Sequence, residues 1–300
     1  MSLVAVACGG SAPATSTHGY PESGLVLLSL NDGSVKGSAA IGSDPVAVIV
    51  SDDGAMAYVA DSAPGDVYGV RLPDLRVAWK HHVGGAPFGL LLHGGRLFVS
   101  LFSGALVVDL DSTSGVQLAT HTVHEGPAVL AIGPDGRVMV ASTRGLIDYL
   151  DGTTSTAAGH GFGVAVVDGQ VWTADYERAE LVRVGDGHRV GLPLPVFPFW
   201  LAPGASGTLL IAAEGGTEDT DPGGVFSYDT RATFNTLARP RDPDQVLQSG
   251  SKILVAAHGD HEVLVIDGGQ THHWAVGSAP VAIAPDAPAN LLVLAVNAHE

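Results

Sequence analysis

Hydrophobic and polar positions along this chain fall into a unit that recurs. It is clearest at Ile41 to Asp61, IGSDPVAVIVSDDGAMAYVAD: Gly-x-x-Pro, an apolar run, a polar turn ending in Gly54, a second apolar run, then Ala-Asp. Short apolar runs bounded by turn residues read as strands. Pro45 lacks an N–H, so it suits the first residue of a strand and not its middle. Asp52-Asp53-Gly54 is a turn signal between the runs. The unit is predicted to be a β-hairpin.

The same pattern returns as GGAPFGLLLHGGRLFVS from Gly84, HEGPAVLAIGPDGRVMVAS from His124 and AGHGFGVAVVDGQVWTAD around Gly159. It returns again as VFPFWLAPGASGTLLIAA from Val196, RDPDQVLQSGSKILVAA from Arg241 and SAPVAIAPDAPANLLVLAV from Ser278. The anchor position holds Pro45, Pro87, Pro127, Pro198, Pro243 and Pro280, with Gly161 in the fourth copy. Seven units result, with the period of about 35–45 residues that marks propeller blades.

A third strand-like run follows each hairpin and ends in aspartate: Asp74, Asp111, Asp151, Asp186, Asp229 and Asp267. The seventh such run lies at the N-terminus, GLVLLSLND ending in Asp32, with Val35 to Ile41 as a fourth strand. The last unit supplies only two strands before Glu300, so the first two strands of the chain would complete it. The predicted fold is all-β: a seven-bladed β-propeller of four-stranded antiparallel blades over residues 20–300. Its closing blade is shared by both ends of the chain, which leaves no long strand edge open.

The segment GSDPVAVIVSDDGAMAYVADSAPGDVYGVRLPD resembles the YVTN-type repeat of bacterial surface and envelope propellers and is similar to the NHL repeat. The resemblance covers residues 20–300 and implies a propeller; propellers host binding modules, lyases, lactonases and redox enzymes alike. In its similarity to gluconolactonase-type propellers, Glu125-Gly126-Pro127 resembles an entry motif, although here it is the repeat signature of blade three. Streptogramin-lyase-like propellers need a histidine at the channel mouth, and His258 could serve.

Hydrophobic residues make up 46% of the chain, charged residues 15%, and there are 40 glycines, as many short buried strands joined by tight turns require. No apolar run approaches the roughly 20 residues of a membrane span. Thirty-one acids against 14 bases give a formal net charge of −17. Such a surface disfavours nucleic acid and anionic membrane as partners.

Residues 1–19 are not blade-like. Val4-Ala5-Val6-Ala7-Cys8-Gly9 resembles the end of a bacterial lipoprotein signal, in which the cysteine carries lipid, and a Ser/Thr/Pro/Gly tether follows. No basic segment precedes it, and the apolar stretch is shorter than usual. Cys8 is the sole cysteine, so no intrachain disulfide forms. The implied location is extracytoplasmic, secreted or lipid-anchored through Cys8.

A hairpin brings the start of its first strand and the end of its second to one face, so these positions should ring the channel. The second strands end at Ser62, Phe102, Thr143, Tyr176, Glu214, His258 and Asn297. Just before the anchor stand Asp44, Ala86, Gly126, His160, Phe197, Asp242 and Ala279; just after it come Phe88, Phe162, Phe199, Trp200, Asp244 and Gln245. Blades four to six carry the aromatic and polar members. Aromatic platforms with a few convergent polar groups are the composition of a ligand pocket; polar residues holding channel water are the alternative. The predicted ligand-binding set is Tyr176, Trp200, Glu214, Asp244, Gln245, His258 and Asn297, for a small molecule or a protein. Among them His258 alone can change charge near neutral pH.

Other groups offer weaker chemistry. Glu218, Asp219 and Asp221 are hard oxygen ligands of the kind calcium takes, without EF-hand spacing. His258, Asp260 and His261 could hold zinc or copper with Glu214. His81, His82, His121 and His124 could form a metal site, or stand as separate solvated side chains. No Gly-x-Ser-x-Gly elbow, His-Glu-x-x-His, phosphate loop or paired-cysteine site occurs. A sugar-phosphate lactonase would want a basic pocket, for which Arg144 is the one rim candidate. The expected function is non-catalytic binding, with a metal-dependent lactonase or lyase at the channel mouth as the alternative and no cofactor specified.

Overall fold

The computed structural model describes residues 20–156, 160–216, 221–229 and 233–297. The leader with Cys8, and the calcium candidates Glu218 and Asp219, lie outside them. Twenty-eight strands form seven four-stranded antiparallel sheets. In six of these, spatial order follows chain order. The first strands touch one another in succession around the ring, the last meeting the first. The molecule is a seven-bladed β-propeller. Among the described residues, no helix is long and apolar enough to cross a membrane.

Burial explains the hydrophobic pattern. Each second strand lies between neighbours within its sheet and between neighbouring blades, so both its faces are covered. It therefore reads as a continuous apolar run and not as an alternation. Ala57 to Ala60 and Leu209 to Ala213 are buried throughout. Seven hydrophobic clusters result, each at the seam between two adjacent blades. The fourth strands form the outer wall and alternate exposed and half-buried positions, as in Gln117–Thr122.

The aspartates that end the third strands have a common physical role at several blades. Asp111 accepts hydrogen bonds from the Ser114 backbone N–H and from the Thr113 and Ser114 hydroxyls. Asp151 accepts from the Thr153 N–H and hydroxyl, and Asp32 does the same for Ser34. Such side-chain-to-backbone bonds close the turn into the fourth strand.

Closure follows the predicted pairing. Ser23–Ser29 lies antiparallel to Leu291–Asn297 and, on its other side, to Val35–Ala39; Pro280–Asp286 completes the sheet. Leu25, Val26, Leu27 and Leu28 are buried, alternating between the seam with blade one and the seam with blade six. Asn297 ties the joint laterally: its amide nitrogen donates to the Asp44 carboxylate at 2.8 Å.

Candidate ligand site at the channel mouth

The first strand of a blade is the edge strand nearest the channel, and six of the seven are bulged at one place. Pro198 pairs with Ala213 and Trp200 with Ala212, so Phe199 is an extra residue. In the same way Asp244 is extra between Pro243 and Gln245, Val46 between Pro45 and Ala47, and Val281 between Pro280 and Ala282. Blades two and three shift between Pro87 and Leu90 and between Pro127 and Leu130. Blade four has Gly161 at the anchor and pairs from Val164 without a shift. A bulge re-aims a side chain out of the ladder. Phe199, Asp244, Val46, Val281, Phe88 and Val129 all reach the wall of one cavity of about 830 Å³.

One side of this mouth is aromatic. Phe162 stacks on Phe102 at 6.2 Å between ring centroids and lies 5.0 Å from Phe199 and 6.2 Å from Phe88. Tyr176 stacks on Phe197 at 5.0 Å. Blade three contributes only Ala128 and Val129 at its bulge, and rings from blades two and four meet across it. Aromatic pairs at these separations gain beyond their buried area, so the rings support one another as a fixed platform. Phe88, Tyr176, Phe197, Phe199 and Trp200 line the cavity itself.

The acidic groups come from blades five and six and adjoin the rings, for Glu214 pairs with Phe197 in the ladder. Glu214 ends the strand Thr208–Glu214, and the Tyr176 hydroxyl donates to its carboxylate. Burial, and then this bond to Glu214, push the Tyr176 phenol well above its ordinary value. Asp242 and Asp244 flank the anchor Pro243, and both line the cavity. The Asp244 carboxylate stands 3.4 Å from Nδ1 of His258, which is buried beneath it. Gln245, also buried, accepts a 2.6 Å hydrogen bond from the Ile283 N–H of the next blade.

Six of the seven sequence-predicted residues therefore share this wall: Tyr176, Trp200, Glu214, Asp244, Gln245 and His258. Asn297 stands apart from it. Its side chain is committed to Asp44 and the closing joint, a role that strand pairing creates and that its row position does not show. Phe88, Phe197, Phe199 and Asp242 belong on the wall although they are not in the predicted set. Each stands one residue before or after the anchor, so position in the repeat was the available signal.

The metal ideas are not assembled. Asp260 accepts hydrogen bonds from the Arg241 N–H and Nε. No group of three His, Cys, Asp or Glu residues is gathered for a metal ion among the described residues. The four outer histidines do not meet as a cluster: His82 pairs with Asp66 and His124 with Asp148, while His121 lies 3.6 Å from Asp109. Arg144 pairs with Glu125 and is absent from the cavity wall.

No protein-family model and no curated protein matches this chain in sequence. Solved structures match in shape. Hydrazine synthase of Kuenenia stuttgartiensis superposes with a TM-score of 0.67 at 14% identity, over 89% of this chain and 100% of that one. A candidate 6-phosphogluconolactonase of Bacteroides fragilis gives 0.66 at 14% identity, over 87% and 97%. BamB of Moraxella catarrhalis gives 0.55 at 16%, over 93% and 92%. Identities this low carry the architecture alone, and three differently named proteins share it.

Proposed function

We propose that this protein is a non-catalytic binding propeller of the cell envelope or its exterior, and that it takes a small molecule at the channel mouth. The observation that carries the proposal is the convergence of bulged residues from six blades on one cavity lined by aromatic rings with carboxylates beside them. A volume of about 830 Å³ falls within the range of roughly 300–1,000 Å³ usual for small-molecule sites. Binding is preferred over a metal-dependent lactonase or lyase for two reasons. Glu214, His258, Asp260 and His261 are not gathered as a ligand set. No lysine or arginine lines the cavity, among the described residues, to receive a sugar phosphate. The extracytoplasmic location is supported by the lipoprotein-like leader at Cys8 and by the resemblance to envelope YVTN-type propellers.

A thermal-shift screen over chemically diverse small molecules tests the binding role, run on the wild type and on Trp200→Ala. A ligand at 100 times its Kd stabilises the folded state by about 2.7 kcal/mol, which raises Tm by several degrees in a domain of this size. Compounds that stabilise the wild type and lose their effect in Trp200→Ala support the site. A screen without any Trp200-dependent compound rejects it. Location is tested by fractionation: the wild type should sediment with membranes and Cys8→Ala should be released. Equal recovery of both as soluble protein rejects the lipid anchor.

A further inference from the structure

We infer, on the reading of this cavity as a ligand site, that its ligand carries an unbranched alkyl chain, which runs from the mouth down the channel between the first strands. The cavity is a shaft as well as a mouth. Along the strand Pro45–Val50, every residue from Val46 to Ile49 lines it. Pro45 pairs with Asp61 at the mouth end of this strand, and Val50 with Ala57 at the other. At the usual strand rise, the wall from Val46 to Ile49 descends about 10 Å. Below the bulges, the adjoining blades seven, one, two and three supply Ala282, Val48, Ile49, Leu90 and Leu130, all aliphatic. Blades five and six add Trp200 and Gln245 there. The ionisable groups stay at the mouth end: Glu214 pairs with Phe197, and the His258 N–H donates to the Asp242 carbonyl. They engage one another, Tyr176 with Glu214 and His258 with Asp244.

The backbone of the shaft points the same way. An edge strand leaves a row of peptide groups open, and here the first strands turn that edge to the channel. At the bulges several of these groups are used between blades instead. The Gly89 N–H donates to the Ser100 hydroxyl, which donates on to the Ala128 carbonyl. The Val129 N–H donates to the Phe162 carbonyl at 3.3 Å, and the Ile283 N–H to the Gln245 oxygen at 2.6 Å. Each bond removes a group that would hold channel water or a hydroxyl-rich ligand. Aliphatic walls hold water poorly, and an apolar group that displaces poorly ordered water gains affinity. A sugar or nucleobase in the shaft would give up its bonds to water for few partners. A flat aromatic compound covers the rings at the mouth and leaves the shaft unfilled. An alkyl chain covers both the rings and the aliphatic wall below them.

Calorimetric titration of the full protein with n-butanol, n-hexanol, n-octanol and n-decanol tests the inference, with myo-inositol as a polyol and indole as a flat aromatic. One alkanol should bind per chain, and each added methylene should tighten binding about threefold. The gain should stop beyond n-octanol, whose extended chain matches a shaft of about 10 Å. Inositol should not bind, and indole should bind more weakly than n-octanol. Leu90→Gln places an amide in the shaft and should weaken n-octanol about tenfold, with n-butanol nearly unchanged. Trp200→Ala should weaken n-octanol as well. The chain-length series needs no variant, so the inference stays testable if a substitution impairs folding. A series in which n-octanol binds no more tightly than n-butanol refutes the alkyl chain, as does a gain that survives both substitutions. Trp200-dependent binding of indole beside such a level series leaves the ligand site standing. Failure of every alkanol to bind also refutes the inference, and the broader screen then decides the ligand site separately.

Discussion

Tyr176 donates its hydroxyl to Glu214 across the seam between blades four and five, at the wall of the channel-mouth cavity. The two residues are 38 apart in sequence and occupy equivalent places in successive repeats. The propeller turns that equivalence into contact. Burial, and next the negative neighbour, disfavour the phenolate, so the phenol is displaced upward from its ordinary 10. Glu214→Gln removes the charge and should lower this displacement. A folded-state value above the unfolded one contributes stability that is complete below pH 10 and is lost as pH rises through the folded value. Burial raises Tyr58, Tyr68 and Tyr228 as well, so ultraviolet titration of the two proteins should differ by one late tyrosine step that moves to lower pH in Glu214→Gln. Coincident titration in the two proteins would contradict the contact.

The closing blade should be the point at which truncation is least tolerated. The strand Ser23–Ser29 pairs on both sides and fills two seams with Leu25 to Leu28. A chain beginning at residue 42 loses both outer strands of that blade and bares the edge of Leu291–Asn297. It should show no cooperative thermal transition. Leu27→Ala, at a buried position, should cost about 2–5 kcal/mol in denaturant unfolding. Retention of the intact transition by the truncated chain would rule out closure by the N-terminal strands.

Blade-to-blade approach sets a second limit. Gly89 lies at the blade-two bulge, where an added Cβ would stand 2.2 Å from the Ala128 carbonyl oxygen and 2.9 Å from the Ser100 hydroxyl. That hydroxyl already bridges the Gly89 N–H and the Ala128 carbonyl. Gly89→Ala should therefore force the blades apart at a cost of roughly 1–3 kcal/mol. Gly191→Ala is the control, because an added Cβ there meets nothing within 4 Å. Equal unfolding midpoints for the two variants would contradict the packing.

The repeat makes the ring legible in the sequence alone. Anchor prolines, turn glycines and the aspartates that end third strands are local devices, and each leaves a residue at a fixed place in the unit. The same logic brought Tyr176, Trp200, Glu214, Asp244, Gln245 and His258 to one wall. It misplaced Asn297, whose side chain is claimed by Asp44 of the next blade once the ring is shut. It also missed that Phe88, Phe102, Phe162 and Phe199 join into one platform. Ring separations across blades depend on where the bulge re-aims each first strand, and no residue type encodes a bulge by itself.

The outer turns predict the response to acid. Hydrogen bonds from Thr113 and Ser114 hold the Asp111 carboxyl down at about 2, and those from Ser34 and Thr153 do the same for Asp32 and Asp151. Depressed values stabilise the fold above the ordinary carboxyl range, and the contribution is lost as pH falls through about 2. Asp61 has the opposite sign. Burial pushes its carboxyl up, against the Asp44 and Ser43 amides that donate to it. Carboxyl-carbon NMR should place Asp111 well below Asp61. The reverse order would contradict both environments.

The most direct measurement of the central claim is a crystal structure of the protein with a Trp200-dependent compound from the thermal-shift screen bound. The compound should lie in the channel-mouth cavity, against Phe199 and Trp200. Density for the compound elsewhere, as in the cleft between blades one and two beside Tyr58 and Thr113, with the channel mouth empty, would contradict it.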